Sequence, residues 1–471
     1  MLIDHTVHAE ADAFAGDDTD SDDRIAAADD AWFTNWRSRE LSRVERAGIT
    51  YLDYTGTALH PESLVRDDAA RLNAGVLGNP HSENAPSRAS TDDVRSARAA
   101  ILDFLRASPD EYAVVLTPNA SGACRIVGES FPFGPRSVLA LSADNHNSVN
   151  GIREFARRRS ASVKVLALDD ELRLRDASPL LERPLSAPSL LAFPAQSNFS
   201  GVRHPLALVA AAQDRGWRVL LDAASFLPST NLRLDQVRPD FVALSIYKIA
   251  GYPTGIGALV ARRSALAELR RPWFAGGTVH WVSVQEDRHR LGPGVEAFED
   301  GTPPFLAAGA VARALAAVTI ASRERLGRHL QALTAMTLRG LEQLVHSDGE
   351  PLVTVHGPRT VAGRGATIAV TLRDRAGRVI PYWEVEDTAR NEGIAVRGGC
   401  FCNPGCAEAA FAFPAGYTTN CLDPMGDDFT IPRFAACLGD RPVGAIRISL
   451  GLGSVLADVT RVVEFLTRYT D

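Results

Sequence analysis

Between Glu111 and Arg262 the chain carries seven apolar runs of strand length: Ala113–Thr117, Ser137–Leu141, Ser162–Leu168, Ser189–Pro194, Arg218–Asp222, Asp240–Ser245 and Gly257–Ala261. They are near-continuous rather than alternating, so each strand needs cover on both faces. Helical segments fit between several of them, at Ser121–Ser130, Ser148–Arg159 and Pro205–Gly216. This alternation predicts an α/β fold with a largely parallel sheet between two layers of helix. Such a sheet has no room for charge inside, and its polar chemistry collects at the carboxyl ends of the strands. The residues that follow each run are therefore the ones to read for function.

The flanking segments differ in texture. Residues 1–30 cluster Asp17, Asp18, Asp20, Asp22 and Asp23 with little apolar content, which predicts a solvated acidic tail. Residues 31–60 are an N-terminal segment expected to pack on a smaller domain, with a helix over Ala31–Val44 and Tyr51-Leu52-Asp53-Tyr54 leading into a turn at Gly56 and Pro61. Residues 61–302 form the large domain. From 303 to 471 a long helix (Phe305–Val345), short strands at Leu352–His356, Ala366–Leu372 and Val443–Leu450, and a helix near Ser454–Tyr469 predict a smaller α+β domain.

The turn between the last two runs holds Lys248. Lys and Arg total 50, yet Lys164 and Lys248 are the only lysines, so a lysine here needs a reason beyond charge. Among Ile246, Tyr247, Ile249 and Ala250, burial would lower its pKa and favour the neutral amine. An amine forms a Schiff base with an aldehyde and a guanidinium does not. Lys248 is either a surface lysine in a turn or the lysine that carries pyridoxal phosphate (PLP).

Other strand ends offer partners. Asp222 could pair with a pyridinium nitrogen or cap the next turn. Thr117-Pro118-Asn119-Ala120-Ser121-Gly122 opens a helix whose N-terminus suits a phosphate, or is an ordinary cap. His146 could lie on a heterocycle or cap its turn, and Asn198 could donate to a phenolic oxygen. The Gly251/Gly255/Gly257 spacing precedes a strand and not a helix, which excludes a dinucleotide loop. In Arg397-Gly398-Gly399-Cys400-Phe401-Cys402-Asn403-Pro404-Gly405-Cys406, a thiol beside an arginine on a Gly-rich loop suits a nucleophile better than a zinc site, for which no paired fourth ligand exists. Cys124 and Cys437 read as buried structural cysteines. Arg447, alternating with apolar neighbours, faces inward and needs an anion: a substrate carboxylate or an internal salt bridge.

Net charge of −7 and a pI near 5.9 disfavour nucleic acid and anionic membranes as partners. No apolar run reaches membrane-spanning length, and no signal peptide is expected. Six cysteines, three of them within Cys400–Cys406, point to a reducing, cytoplasmic setting with local thiol chemistry in place of a disulfide framework.

Taken together, Asp144–Val149, Ser197–Gly201, Ser245–Gly257, Phe274–Val279, Phe298–Thr302 and Gly399–Gly405 resemble the class V aminotransferase-like PLP enzymes. Within these they are similar to the cysteine desulfurases and the desulfurase domain of molybdenum cofactor sulfurases. The similarity covers about residues 45–470. It implies PLP fold type I, with a mostly parallel seven-stranded sheet plus a smaller C-terminal α+β domain, and a homodimer with shared active sites. It implies that Lys248 bonds the cofactor aldehyde, Asp222 partners the ring nitrogen, His146 stacks on the ring and Asn198 meets its phenolic oxygen. Ala120, Ser121, Ser245 and Thr302 of a second subunit would hold the phosphate. Cys402 would form the persulfide, and Arg447, with Arg397 nearby, would take the carboxylate of L-cysteine. Tyr247 stands in place of the family's usual phosphate-binding histidine, Ser225 in place of a common glutamine, and Ala297 in place of a basic residue. The further domain of the multidomain sulfurases is not expected after residue 471, which leaves the sulfur acceptor open. An aminotransferase or a C–S or C–Se lyase would use the same cofactor, and a non-catalytic sulfur carrier or metal-binding scaffold would use none.

Overall fold

In the computed structural model, which describes residues 19–180, 187–439 and 441–471, all seven runs are strands of one sheet. They are β1 (Tyr112–Thr117), β2 (Val138–Ser142), β3 (Ser162–Leu166), β4 (Ser189–Pro194), β5 (Trp217–Asp222), β6 (Phe241–Ser245) and β7 (Gly257–Arg262). The order is β1-β7-β6-β5-β4-β2-β3, with β7 antiparallel to both neighbours and the other pairs parallel. Every residue of β1, β4 and β6 is buried, as two-sided cover requires. Only β3, at an edge, is mostly open to solvent. Lys164 lies there, where a charge discourages pairing with a foreign strand.

The helices depart from expectation in three places. α1 (Thr19–Glu40) begins inside the stretch expected to be a solvated tail, the rest of which lies outside the described residues. Asp29 explains the extension, since its buried carboxylate pairs with Arg325 (3.0 Å) and Arg328 (3.3 Å). α2 (Ala85–Phe104) packs beside β1, and α3 (Ala120–Ser130) follows β1 with the Asn119 side chain accepting from Gly122 N–H at 3.0 Å. The Lys248 turn is a short helix, α4 (Ile246–Ala250), closed by Gly251 at φ 74°. The long helix expected over 305–345 is two, α5 (Phe305–Thr319) and α6 (Arg323–Glu342), meeting at 62°. Ser322 breaks it, at φ 44° with its hydroxyl accepting from Arg325 N–H. α5 packs on α2 and α4, so the large domain keeps it, and the boundary moves from 303 to the break at 320–322.

In the small domain β8 (Val353–His356), β9 (Thr367–Arg373), β10 (Arg397–Gly399) and β11 (Ala445–Ser449) form an antiparallel sheet in the order β8-β9-β11-β10. α6 packs against α1 and α7 (Leu456–Leu466). Thr50–Tyr51 pairs with Ile394–Ala395, and Asp53 bridges to Ser449, which ties the N-terminal segment to this domain. Cys437 is exposed and disulfide-bonded to Cys421, correcting its reading as a buried structural cysteine and the expectation of no disulfide. The bond staples the segment after the cysteine loop, where the apolar neighbours are Phe434, Leu438 and Val443.

Gly251 and Gly255 share φ 74°, but only Gly251 is crowded: a Cβ there would lie 2.4 Å from His60 N and 2.6 Å from Ala58 O. Both alanine variants incur left-handed strain of about 1–2 kcal/mol, and Gly251→Ala adds a backbone clash. The expected thermal midpoint is therefore lower for Gly251→Ala than for Gly255→Ala, and calorimetry of the two variants measures the difference.

Candidate active site

The carboxyl ends of β1, β2, β4, β5 and β6 converge on a cleft of about 120 Å³ lined by Asn119, Ala120, Ser121, His146, Ser148, Pro194, Gln196, Asn198, Asp222, Ala224, Ser225, Ser245, Tyr247 and Lys248. Eight residues singled out from sequence thus meet in one place: Ala120, Ser121, His146, Asn198, Asp222, Ser245, Tyr247 and Lys248. Lys248 is half-buried, and its amine has no hydrogen-bond or ion-pair partner among the described residues. Burial lowers its pKa from the ordinary lysine value; Arg447 and Arg397 lower it further, against the opposing charges of Asp222 and Asp53. The surface-lysine reading does not survive this placement.

Asp222 ends β5, with Oδ1 accepting from Ala224 N–H at 3.0 Å and Oδ2 unpartnered among the described residues. The cap and the free acceptor therefore coexist. His146 likewise caps its turn: Nδ1 accepts from Ser148 N–H at 3.1 Å, and burial lowers its pKa, so the ring is neutral with its proton on Nε2. At the head of α3, Ser121 Oγ lies 2.5 Å from Ser148 Oγ, and Ser245 Oγ accepts from Ala120 N–H at 2.8 Å. Ala120 N–H, expected to face an anion, is thus already occupied. The donors left to one are the Ser121, Ser148 and Ser245 hydroxyls and the Ser121 amide, since Gly122 and Ala123 N–H already bond Asn119.

The remaining candidates lie outside this cleft. Cys402 is exposed on the loop above it, at φ 55° after Phe401 at φ 57°. The loop is bonded to the large domain: Asn147 N–H donates to Cys402 O (2.8 Å), Asn198 Nδ2 to Phe401 O (2.7 Å), and Asn403 Nδ2 to Asp144 O (2.6 Å) and Asn198 Oδ1 (2.9 Å). The Cys402 contact is a backbone one. Asn198 therefore holds the cysteine loop, with one amide hydrogen left for another acceptor. Arg447 is buried and pairs with Asp53 at 2.8 Å, an internal salt bridge that leaves its Nε without a partner among the described residues; its guanidinium lies 4.7 Å from the centre of the Phe401 ring. Arg397 pairs with the same carboxylate at 2.6 Å. Thr302 is exposed and bonded by Asn79 at 3.2 Å, away from this chain's cleft.

Asp53, Ser148 and Gln196 were not singled out from sequence as site residues. Gln196 Oε1 accepts from Arg203 (3.1 Å) and its amide donates to Ser225 O (3.0 Å), bracing the cleft wall. Asp53 left a signal, an acid in the apolar Tyr51–Tyr54 run, where burial demands a cation.

Residues 50–462 match the family described as Aminotransferase class-V. The chain belongs to the class-V aminotransferase family. Similar curated proteins include the molybdenum cofactor sulfurases of Solanum lycopersicum (32% identical over 470 residues, covering 91% of this chain and 56% of that one) and Danio rerio (33% over 457, 91% and 54%). The chain thus spans about half the length of the curated relatives it matches. Among solved structures, the apo cysteine desulfurase of Thermococcus onnurineus NA1 superimposes with a TM-score of 0.76 at 22% identity, over 92% of this chain and 97% of that one. The Escherichia coli cysteine desulfurase CsdA does so at 0.70 and 22%, over 93% and 98%. These likenesses establish the family's fold, a large mostly parallel α/β domain with a smaller α+β domain.

Because the Lys248 amine has a lower pKa folded than unfolded, the unfolded chain binds more proton in the window below about pH 10.4, and folding stability rises with pH through it. Lys248→Met removes that penalty. The cofactor-free variant is expected to melt above the cofactor-free parent at pH 7, with the gap closing as the pH approaches 10; paired thermal melts at the two pH values check it.

Proposed function

We propose that this chain is a PLP-dependent L-cysteine desulfurase of the molybdenum cofactor sulfurase type, which takes sulfur onto Cys402 and releases alanine. One observation carries it: the unpaired Lys248 amine faces the same cleft as the free Asp222 oxygen, beneath a loop that exposes Cys402. The donor set fits the cofactor. Lys248 would bond its aldehyde, Asp222 Oδ2 its ring nitrogen and Asn198 its phenolic oxygen, with His146 against the ring. Ser121, Ser148, Ser245 and the α3 N-terminus would hold its phosphate, Tyr247 standing beside them. A C-DES variant with glycine covalently linked to PLP shares the fold (TM-score 0.70, 17% identity, 92% of this chain and 99% of that one).

When bound, the cofactor supplies an electron sink that lets bonds at Cα and Cβ of an amino acid break. The chain's own residues do the rest. Arg447, whose buried Nε has no partner among the described residues, binds the carboxylate with Arg397 beside it. The depressed pKa of Lys248 provides a neutral amine that takes the Cα proton at Nζ. Cys402 Sγ forms an S–S bond to the substrate sulfur as the substrate Cβ–S bond breaks; the electron pair stays on carbon, which a proton completes to alanine. An unidentified acceptor then removes the sulfur. The thiol exposed above the cleft favours this reading over transamination or C–S lysis, in which Cys402 has no part.

A homodimer is part of the proposal. The hairpin pairing Val279–Ser283 with Arg288–Leu291 exposes Trp281 (43%) on one side, Val282 (47%) on the other and Val284 (91%) at its turn, a projecting apolar arm suited to a second copy. Thr302, outside its own cleft, would complete the phosphate site of the partner subunit. We assign the enzyme to the cytoplasm, where the exposed Cys400 and Cys402 stay reduced; the Cys421–Cys437 disulfide runs against the expectation of no disulfides and is the one feature among the described residues that favours an oxidising setting.

Two measurements test this. The purified protein should be yellow and convert L-cysteine to alanine. Lys248→Ala should lose both colour and turnover, while Cys402→Ser keeps the colour but loses at least about 10²-fold in rate and the persulfide seen by mass spectrometry. Normal desulfuration by Cys402→Ser removes the nucleophile assignment. Light scattering should give twice the chain mass of 50.6 kDa, and Trp281→Glu/Val284→Glu should halve it.

A further inference from the structure

The cationic end of the site is two guanidinium groups on one carboxylate. Asp53 Oδ1 accepts from Arg447 Nη2 (2.8 Å) and Arg397 Nε (3.1 Å), and Oδ2 accepts from Arg397 Nε (3.0 Å) and Nη2 (2.6 Å). Asp53 and Arg447 are buried, at 8% and 2% exposure. The backbone clamps the trio: a Cβ on Gly56 would lie 2.5 Å from Asp53 Oδ2 and 2.8 Å from Arg397 Nη2. The trio borders the cleft without lining it: Arg447 Nη1 donates to the backbone oxygen of Asn198, a cleft residue, at 3.1 Å. Arg447 uses Nη1 on Asn198 O (3.1 Å) and Nη2 on Asp53, which leaves the buried Nε without a partner among the described residues.

The charge count then decides what fits. Two cations against one anion leave one net positive charge, and because Arg447 is buried while the Arg397 side chain is 49% exposed, the imbalance is costly chiefly at Arg447. One carboxylate on a ligand completes the balance. A second anionic group overshoots it and meets Asp53, a like charge already holding the donors it would need. We infer that Asp53 sets the specificity of the pocket by cancelling one guanidinium charge, so that the site accepts amino acids with a single anionic group and rejects dicarboxylic ones. The inference rests on the desulfurase reading only in taking Arg447 as the carboxylate's partner. Asp53 acts through the arginines, as a positioning and charge-setting residue.

Calorimetric titration of the PLP-loaded enzyme with L-alanine and L-aspartate reads the preference without turnover. The parent should bind L-alanine more tightly. The near-isosteric Asp53→Asn leaves both arginine charges free. It should improve L-aspartate relative to L-alanine at least tenfold, since a unit charge within several ångströms at an effective dielectric near ~20 has that weight or more. Asp53→Asn/Arg397→Met returns the count to one and should restore the parental order, which a merely structural role would not do. Arg397→Met alone leaves no net charge and should weaken L-alanine at least tenfold, a second route should Asp53→Asn not fold. Equal weakening of both ligands by Asp53→Asn, no restoration in the double variant, or unchanged L-alanine binding in Arg397→Met would each overturn the inference. Alanine release from L-cysteine is assayed separately: a parent enzyme that releases none yet keeps the ligand order ends the desulfurase reading and leaves this one standing.

Discussion

A sheet buried on both faces dictates where everything else in this molecule goes. β1, β4 and β6 have no exposed residue, so they offer no surface on which to mount a charged group. Polar side chains survive only where a strand stops, and five strands stop on the same side, around one cleft. Asp222 and Ser245 are terminal strand residues, while His146, Asn198 and Lys248 follow within a few positions. The candidate site is therefore a consequence of sheet topology, assembled from residues far apart in sequence and near only because parallel strands end together.

The same logic explains what could be read from sequence. All seven strands were visible because burial on both faces writes an unbroken apolar run, a signal that needs no partner to interpret. Lys248 stood out because lysine is almost absent, and Asp222 because it ends such a run. What escaped reading depends on contacts between segments distant in the chain. The break between α5 and α6 rests on one left-handed serine, Ser322, inside a sequence otherwise continuous with helix. The fate of α5 was set by its packing on α2, which no local pattern records. Asp53 needed two arginines, Arg397 and Arg447, that lie more than three hundred residues away. Cys437 was misread because Cys421, its partner, gives no signal at its own position.

Asn198 joins the two halves of the chemistry. Its backbone oxygen receives Arg447, its amide nitrogen donates to Phe401 O, and its amide oxygen accepts from Asn403. A residue placed just after β4 by the large domain thus holds Arg447 through its backbone oxygen and the cysteine loop through its side chain, both elements of the small domain. Asn198 is thus one contact shared by Arg447 and the cysteine loop, beside others that bypass it, such as Asn147 N–H to Cys402 O and Asn403 to Asp144 O.

These contacts bear on how the thiol moves. The cysteine loop is Gly-rich, yet Asn403 is fully buried and Phe401 nearly so, and the loop is pinned by hydrogen bonds from Asn147, Asn198 and Asn403. Phe401 and Cys402 both sit in the left-handed region, at a cost of about 1–2 kcal/mol each. The pinning bonds contribute roughly 0.5–1.5 kcal/mol apiece, so four of them offset about that much strain. Breaking them returns the strain. Burial of Phe401 against Phe199 and Arg447 adds about 1.5–3 kcal/mol to the docked state, so the loop is held in place and undocking Phe401 is the main cost of releasing the thiol.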